Sequence, residues 1–151
     1  MVTLANNKEI RIFADANELF LFAAKDFSQR AMTAVQDKGL FSVVLAGGST
    51  PKLFFDALTS VEEYQKTIPW QQIQFFFGDE RYVPIDDSQS NYHMAVQYLF
   101  SKVPIKPSHV YRIPTTYAAP IEAAKDYEQT LRSVFHLRDQ DFPAFDLVYL
   151  G

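Results

Sequence analysis

The chain has 151 residues, 48% hydrophobic and 21% charged, a balance that suits one soluble globular domain able to bury a core. A net charge of −4 without any basic block argues against a nucleic-acid surface, which carries clustered Lys and Arg. With no cysteine at all, disulfides, thiolate metal sites and cysteine nucleophiles are excluded.

The longest helical apolar stretch, near Leu19 to Ala24, is far too short to cross a bilayer. Asn6, Asn7, Lys8 and Glu9 interrupt any basic-then-apolar layout of a signal peptide. A cytoplasmic setting is therefore expected, with neither membrane nor nucleic acid as partner. No repeat, linker or low-complexity stretch divides residues 1–151, which read as a single domain.

In chain order, Glu9 to Ala14 alternates loosely and predicts a first strand. Asp15 with Glu18 predicts a capping box, and a long helix follows with Leu19, Phe20, Ala23, Phe27, Ala31 and Val35 near helical spacing. Gly39 is placed to end it, because glycine tolerates the left-handed conformation after a helix. Phe41 to Leu45 is a continuous apolar run, as expected of a strand buried on both faces. Pro51 suits the first turn of a second helix, with Ser49 or Thr50 as its N-cap, running through Leu53, Phe54 and Leu58. Ile73 to Phe77 predicts a third strand, and a polar loop spans Pro84 to Ser90. A helix then starts near Asn91, carrying Met94, Val96, Leu99 and Phe100. Val110 to Ile113 predicts a short strand. Ala119 to Leu137 predicts a helix with Ile121, Ala124, Tyr127, Leu131 and Val134 on its apolar stripe, and Phe145 to Leu150 a last buried strand. This alternation implies an α/β fold, a Rossmann-like open, mainly parallel sheet with helices on both faces.

Two strand ends carry the chemistry. At Gly47-Gly48-Ser49-Thr50-Pro51-Lys52 the glycines bring backbone N–H groups near a ligand, and the helix start adds a dipole that favours anions. Ser49 and Thr50 offer hydroxyls, and Lys52 a charge. A tight turn with a capping serine would read the same way. The Walker spacing is absent, so a nucleoside triphosphate is not the expected ligand.

At Gly78-Asp79-Glu80-Arg81, charged residues directly follow Phe75-Phe76-Phe77 and need solvent, a partner or a ligand. A carboxylate there can orient sugar hydroxyls or move a proton, and arginine can clamp a phosphate or carboxylate. An Asp–Arg pair that merely fixes the loop is the alternative. One of the two acids can be structural, and spacing does not decide which. Together the two motifs read as a site for a small phosphorylated polar molecule.

The histidines are His93, His109 and His136. His93 falls near the site but reads as a helix-surface or packing residue, and the others as ordinary helix and loop positions. No metal-ligand spacing and no Gly-x-Ser-x-Gly elbow occurs, so neither metal nor serine nucleophile is expected.

Leu45-Ala46-Gly47-Gly48-Ser49-Thr50-Pro51, then Phe77-Gly78-Asp79-Glu80-Arg81-Tyr82-Val83-Pro84 with Asp87, Ser90 and Asn91, resembles the 6-phosphogluconolactonase family. Phe145-Asp146-Leu147-Val148-Tyr149-Leu150-Gly151 is similar to the strand preceding that family's next motif. The resemblance implies hydrolysis of 6-phospho-D-glucono-1,5-lactone to 6-phosphogluconate in the oxidative pentose phosphate pathway, with no cofactor. It implies that Gly47, Gly48, Ser49 and Thr50 line the sugar-phosphate site, with Asn91 among the substrate-binding residues. Asp79 and Arg81 are implied beside the reacting ring or on substrate anions.

The family's general-base histidine is expected in a Gly-x-Asp-Gly-His stretch after the strand ending Leu150-Gly151, which these residues do not include. None of the three histidines stands at that position. The chain is accordingly expected to be an N-terminal portion, its sheet truncated at the C-terminus. Glucosamine-6-phosphate deaminases share the first turn but usually lack an arginine after the acid pair, so Arg81 favours the lactonase. A non-catalytic sugar-phosphate-binding domain is the third reading.

Overall fold

The computed structural model describes residues 2–4 and 8–150. A small antiparallel hairpin comes first, with β1 (Val2–Leu4) against β2 (Lys8–Ile10). The strand expected over Glu9 to Ala14 needs correction. Its pairing stops at Ile10, the hairpin stands apart from the main sheet, and both Ile10 and Ile12 are exposed. An alternation that buries neither isoleucine gives the strand no reason to continue.

The helix α1 (Ala16–Lys38) begins as expected. The Glu18 N–H donates to Asp15 Oδ1 at 2.9 Å, and the Ala14 N–H donates to Glu18 Oε2 at 2.9 Å. At its other end Gly39 adopts φ 84°, and its N–H reaches the Val35 carbonyl at 2.9 Å.

There follow β3 (Phe41–Leu45), α2 (Ser49–Ser60), α3 (Glu62–Thr67), β4 (Ile73–Phe77) and α4 (Asn91–Ala95), which runs on as a wider π-helical turn through Phe100. Beyond it lie β5 (Val110–Tyr111), α5 (Pro120–Val134) and β6 (Leu147–Val148). The last four strands form one parallel sheet in the order β5-β4-β3-β6.

Side chains alternate between the two faces of the sheet. Phe41, Val43, Leu45, Phe75 and Phe77 join Phe27, Phe54, Trp70 and Leu99 in the main core beneath α1 and α2. On the opposite face Phe76 meets Tyr111, Phe135 and Phe145 at ring-centre distances of 4.8, 5.4 and 5.1 Å. Phe41, Phe75 and Phe76 are 0% exposed. Each contributes roughly 1.5–3 kcal/mol relative to an exposed ring.

Two expectations shift in detail. Along α5 Tyr127, Leu131 and Val134 are half-buried as expected, but in the first turns Ala123 is the buried residue, while Ile121 and Ala124 face solvent. The last strand pairs only at Leu147 and Val148, with Asp146 and Tyr149 adding one backbone bond each, to Ser42 and Val44. It is not buried on both faces: Val148 is 44% and Leu150 90% exposed. Gly151, its expected end, lies outside the described residues.

At the amino edge of the sheet, a polar latch ties β6 to β3. Asp146 Oδ2 accepts the Ser42 N–H and Oγ–H, both at 2.8 Å, and Oδ1 pairs with Lys38 Nζ at 2.7 Å. Burial on its own would raise the Asp146 pKa, but Lys38 and the Ser42 donors outweigh it and hold the carboxyl below its ordinary value.

Candidate functional site

From β3 the chain winds outward through β4 and β5, then returns to place β6 on the other side of β3. The crevice between β3 and β6 is thus the switch point of the sheet, where open α/β folds bind ligands at the carboxyl ends of their strands. A cleft of about 430 Å³ lies there. It is lined by Gly47 to Pro51 after β3, by Tyr149 and Leu150 after β6, and by apolar residues of α1 and α2 such as Phe20 and Phe54. Its size is ordinary for a small-molecule site.

The N-terminus of α2 opens into this cleft. Its cap is Gly48, at φ 104° and ψ −174°, a conformation that side chains resist. The sequence leads one to expect Ser49 or Thr50 as the cap, and neither is. Both sit inside the first turn, and among the described residues no side chain accepts a bond from the helix start. The first-turn N–H groups of Ser49 and Thr50 therefore have neither an intrahelical partner nor a capping side chain. Lys52 does not line the cleft. Its ammonium lies 4.4 Å from the Tyr98 ring centre, and a hydrogen bond with Tyr98 raises its pKa.

The neighbouring strand end is built in the opposite way. Glu80 Oε1 accepts the N–H groups of Asn91 at 2.6 Å and Arg81 at 2.8 Å. Glu80 Oε2 accepts the Tyr92 N–H at 2.9 Å and the Ser90 hydroxyl at 3.2 Å. Ser90 Oγ in turn caps α4 by accepting the His93 N–H at 3.1 Å. Glu80 is thus the structural acid of the pair. Among the described residues no hydrogen bond or ion pair engages the Asp79 carboxylate or the Arg81 guanidinium, and both are exposed. The loop-fixing Asp–Arg pair is absent among them.

Asn91 joins the two strand ends. It is 4% exposed, and its Nδ2 donates to the Asp79 carbonyl at 3.1 Å. Its carboxamide lies so close over Gly47 that a β-carbon there would overlap it. Gly47 is required by this close approach, whereas Gly48 is required by its φ. Asn91 thus lies buried beneath the turn, with its Nδ2 held by the Asp79 backbone.

Tyr127 was visible in the sequence only as part of an apolar stripe. Its hydroxyl accepts the Phe77 N–H at 2.9 Å and donates to the Phe77 carbonyl at 3.1 Å. Those groups face the side where β5 has already ended at Tyr111. The phenol replaces the missing strand, and burial raises its pKa to about 12, keeping the donating proton in place.

The structure therefore gathers Gly47, Gly48, Ser49 and Thr50 on one cleft, sets Asn91 beneath them, and holds Asp79 and Arg81 on the adjoining loop outside the cleft lining. The histidines lie elsewhere in structural roles. His93 stands in α4, and His136, at φ 53°, follows α5. His109 lies in the turn before β5, its pKa lowered chiefly by burial.

An open parallel sheet with an anion-ready cleft at its switch point defines a small-ligand α/β domain. The family model described as glucosamine-6-phosphate isomerases/6-phosphogluconolactonase matches residues 14–151, and the chain belongs to this family. The chain is 37% identical over 122 residues to the 6-phosphogluconolactonase of Synechocystis sp., covering 81% of this chain and 49% of that protein. It is 33% identical over 144 residues to the 6-phosphogluconolactonase of Nostoc sp., covering 95% and 58%. The crystal structure of the Thermotoga maritima 6-phosphogluconolactonase superposes with a TM-score of 0.70 at 32% identity, covering 85% of this chain and 53% of that one. The chain thus spans about half the length of the curated relatives it matches.

Proposed function

We propose that this chain carries the sugar-phosphate half of a 6-phosphogluconolactonase that works in the cytoplasm. The observation that carries the reading is the uncapped N-terminus of α2 at the switch-point cleft, in a chain of this family. In this reading the Ser49 and Thr50 amides and hydroxyls bind the phosphate, with Gly47 and Gly48 shaping the turn. Arg81 takes a second electron-rich group of the substrate, and Asp79 orients ring hydroxyls.

The reaction adds water to the lactone carbonyl and breaks the ring C–O bond, leaving a carboxylate and a free hydroxyl. Its transition state gathers charge on the carbonyl oxygen, so an unpaired guanidinium beside the cleft has a clear electrostatic use. The general base implied by the family resemblance belongs to a segment following Leu150, a residue that already lines the cleft. No cofactor enters this chemistry, and neither nucleic acid nor membrane is a partner.

The test is to express the protein from its complete reading frame and offer it 6-phosphogluconolactone and glucosamine 6-phosphate separately. Acid release from the lactone above its spontaneous hydrolysis is expected, with no ammonia from the amino sugar. Ammonia release without lactone hydrolysis would overturn the proposal in favour of the deaminase reading.

A further inference from the structure

We infer that Asn91 is a positioning residue that sets the spacing between the glycine turn after β3 and the Asp79–Arg81 loop after β4. The inference rests on the proposed function above, because the two strand ends must act on one substrate for their spacing to matter.

Three observations lead there. The Asn91 carboxamide is buried, so it is not offered to solvent or ligand. It touches both strand ends at once, packing over Gly47 on one side and donating to the Asp79 carbonyl at 3.1 Å on the other. The residue is itself held rigidly, since its own N–H donates to Glu80 Oε1 at 2.6 Å at the start of α4. Gly47 and Asp79 follow neighbouring parallel strands, whose ladder continues only as far as the Gly78 N–H bond to the Leu45 carbonyl at 3.0 Å. Beyond that bond the Asn91 side chain bridges the loops, and it bonds directly to the backbone of Asp79.

Reaction rates are steep in such spacing, and a misplacement of about 1 Å can cost on the order of a hundredfold. Asn91→Ala leaves every proposed substrate-binding group in place and removes only the strut. The inference therefore predicts a split result in the protein expressed from its complete reading frame. Turnover of 6-phosphogluconolactone should fall roughly tenfold to a hundredfold, while the Kd for 6-phosphogluconate stays within about threefold. Unchanged turnover in a folded Asn91→Ala protein would overturn it, and so would parallel loss of turnover and product binding.

A double-mutant cycle tests the contact itself. Gly47→Ala should lower Tm sharply because the new methyl overlaps the Asn91 carboxamide, and adding Asn91→Ala should recover much of that loss. The double variant should still turn over slowly, since the bond to Asp79 is gone. No recovery of Tm would contradict the packing argument. Wild-type protein that neither binds 6-phosphogluconate nor hydrolyses the lactone would sink the proposed function, and the role of Asn91 with it. Wild-type activity with an unaffected Asn91→Ala variant would sink the strut alone.

Discussion

Two helices begin at the same edge of the sheet, and the protein treats their N-termini in opposite ways. The start of α4 is filled by the protein's own groups, with the Glu80 carboxylate on the Asn91 and Tyr92 amides and Ser90 capping the His93 amide. The start of α2 is left open: its cap is a glycine, and among the described residues no side chain turns back to it. Both ends carry the same partial positive charge and the same orphan N–H groups. One is satisfied internally and serves to fix a loop, and the other is left to be satisfied from outside. Asp79 and Arg81 flank Glu80, yet among the described residues no hydrogen bond or ion pair engages their charged groups, so the same division runs through three consecutive side chains.

The largest effect should come from the unsatisfied side. Arg81→Ala removes no side-chain hydrogen bond or ion pair among the described residues and should leave stability within about 0.5 kcal/mol. It should lower kcat/KM for the lactone on the order of a hundredfold, as loss of a group stabilising developing charge does. A large fall in Tm instead would assign Arg81 to the structural side.

Next is Glu80→Ala, which strands the α4 amides. It should cost about 2–3 kcal/mol, lowering Tm by roughly 5–10 °C in thermal unfolding. A neutral result would show that this carboxylate does not secure the loop.

Filling the open end sharpens the contrast. Ser49→Asp places a carboxylate in the first turn of α2, where it should add about 0.3–1 kcal/mol of stability. The same charge should weaken 6-phosphogluconate binding by about tenfold or more, measurable by calorimetry. Stabilisation without loss of binding would mean that the ligand sits elsewhere.

The smallest effect lies at the amino edge, far from either terminus. The folded Asp146 carboxyl has its pKa below the ordinary value, so the folded state binds fewer protons than the unfolded chain. Its stabilisation is present above the unfolded carboxylate pKa and is lost as pH falls through the folded one. Asp146→Asn should remove about 1 kcal/mol or less at neutral pH and flatten the acid limb of stability against pH.

Much of the fold was legible because local rules and burial agree in it. Apart from Ser42 and Gln74, Phe41–Leu45 and Ile73–Phe77 are apolar and lie at the centre of the sheet, and Asp15 and Gly39 bound α1 as their chemistry demands. The α5 stripe holds at Tyr127, Leu131 and Val134 but fails in the first turns, where Ile121 is apolar but exposed and small Ala123 does the packing. At the site, glycine and charge marked the right strand ends. The choice between Asp79 and Glu80 was not legible, because it depends on amides of α4 that return eleven residues later. Nor was the cap of α2, where Ser49 and Thr50 have the right chemistry one and two positions too late. Asn91 was singled out, but its contacts to Gly47 and Asp79, like those of Tyr127 to Phe77, were not legible, since they run across the fold rather than as patterns along it.

The most direct test of the contrast between the two helix starts is an amide chemical-shift titration of the 15N-labelled protein with 6-phosphogluconate. The Ser49 and Thr50 amides should move strongly and saturably, while the Tyr92 amide, held by Glu80, stays nearly fixed. Motion at Tyr92 with Ser49 and Thr50 unchanged would contradict the account, because the ligand would then be choosing the helix start that the protein has already filled.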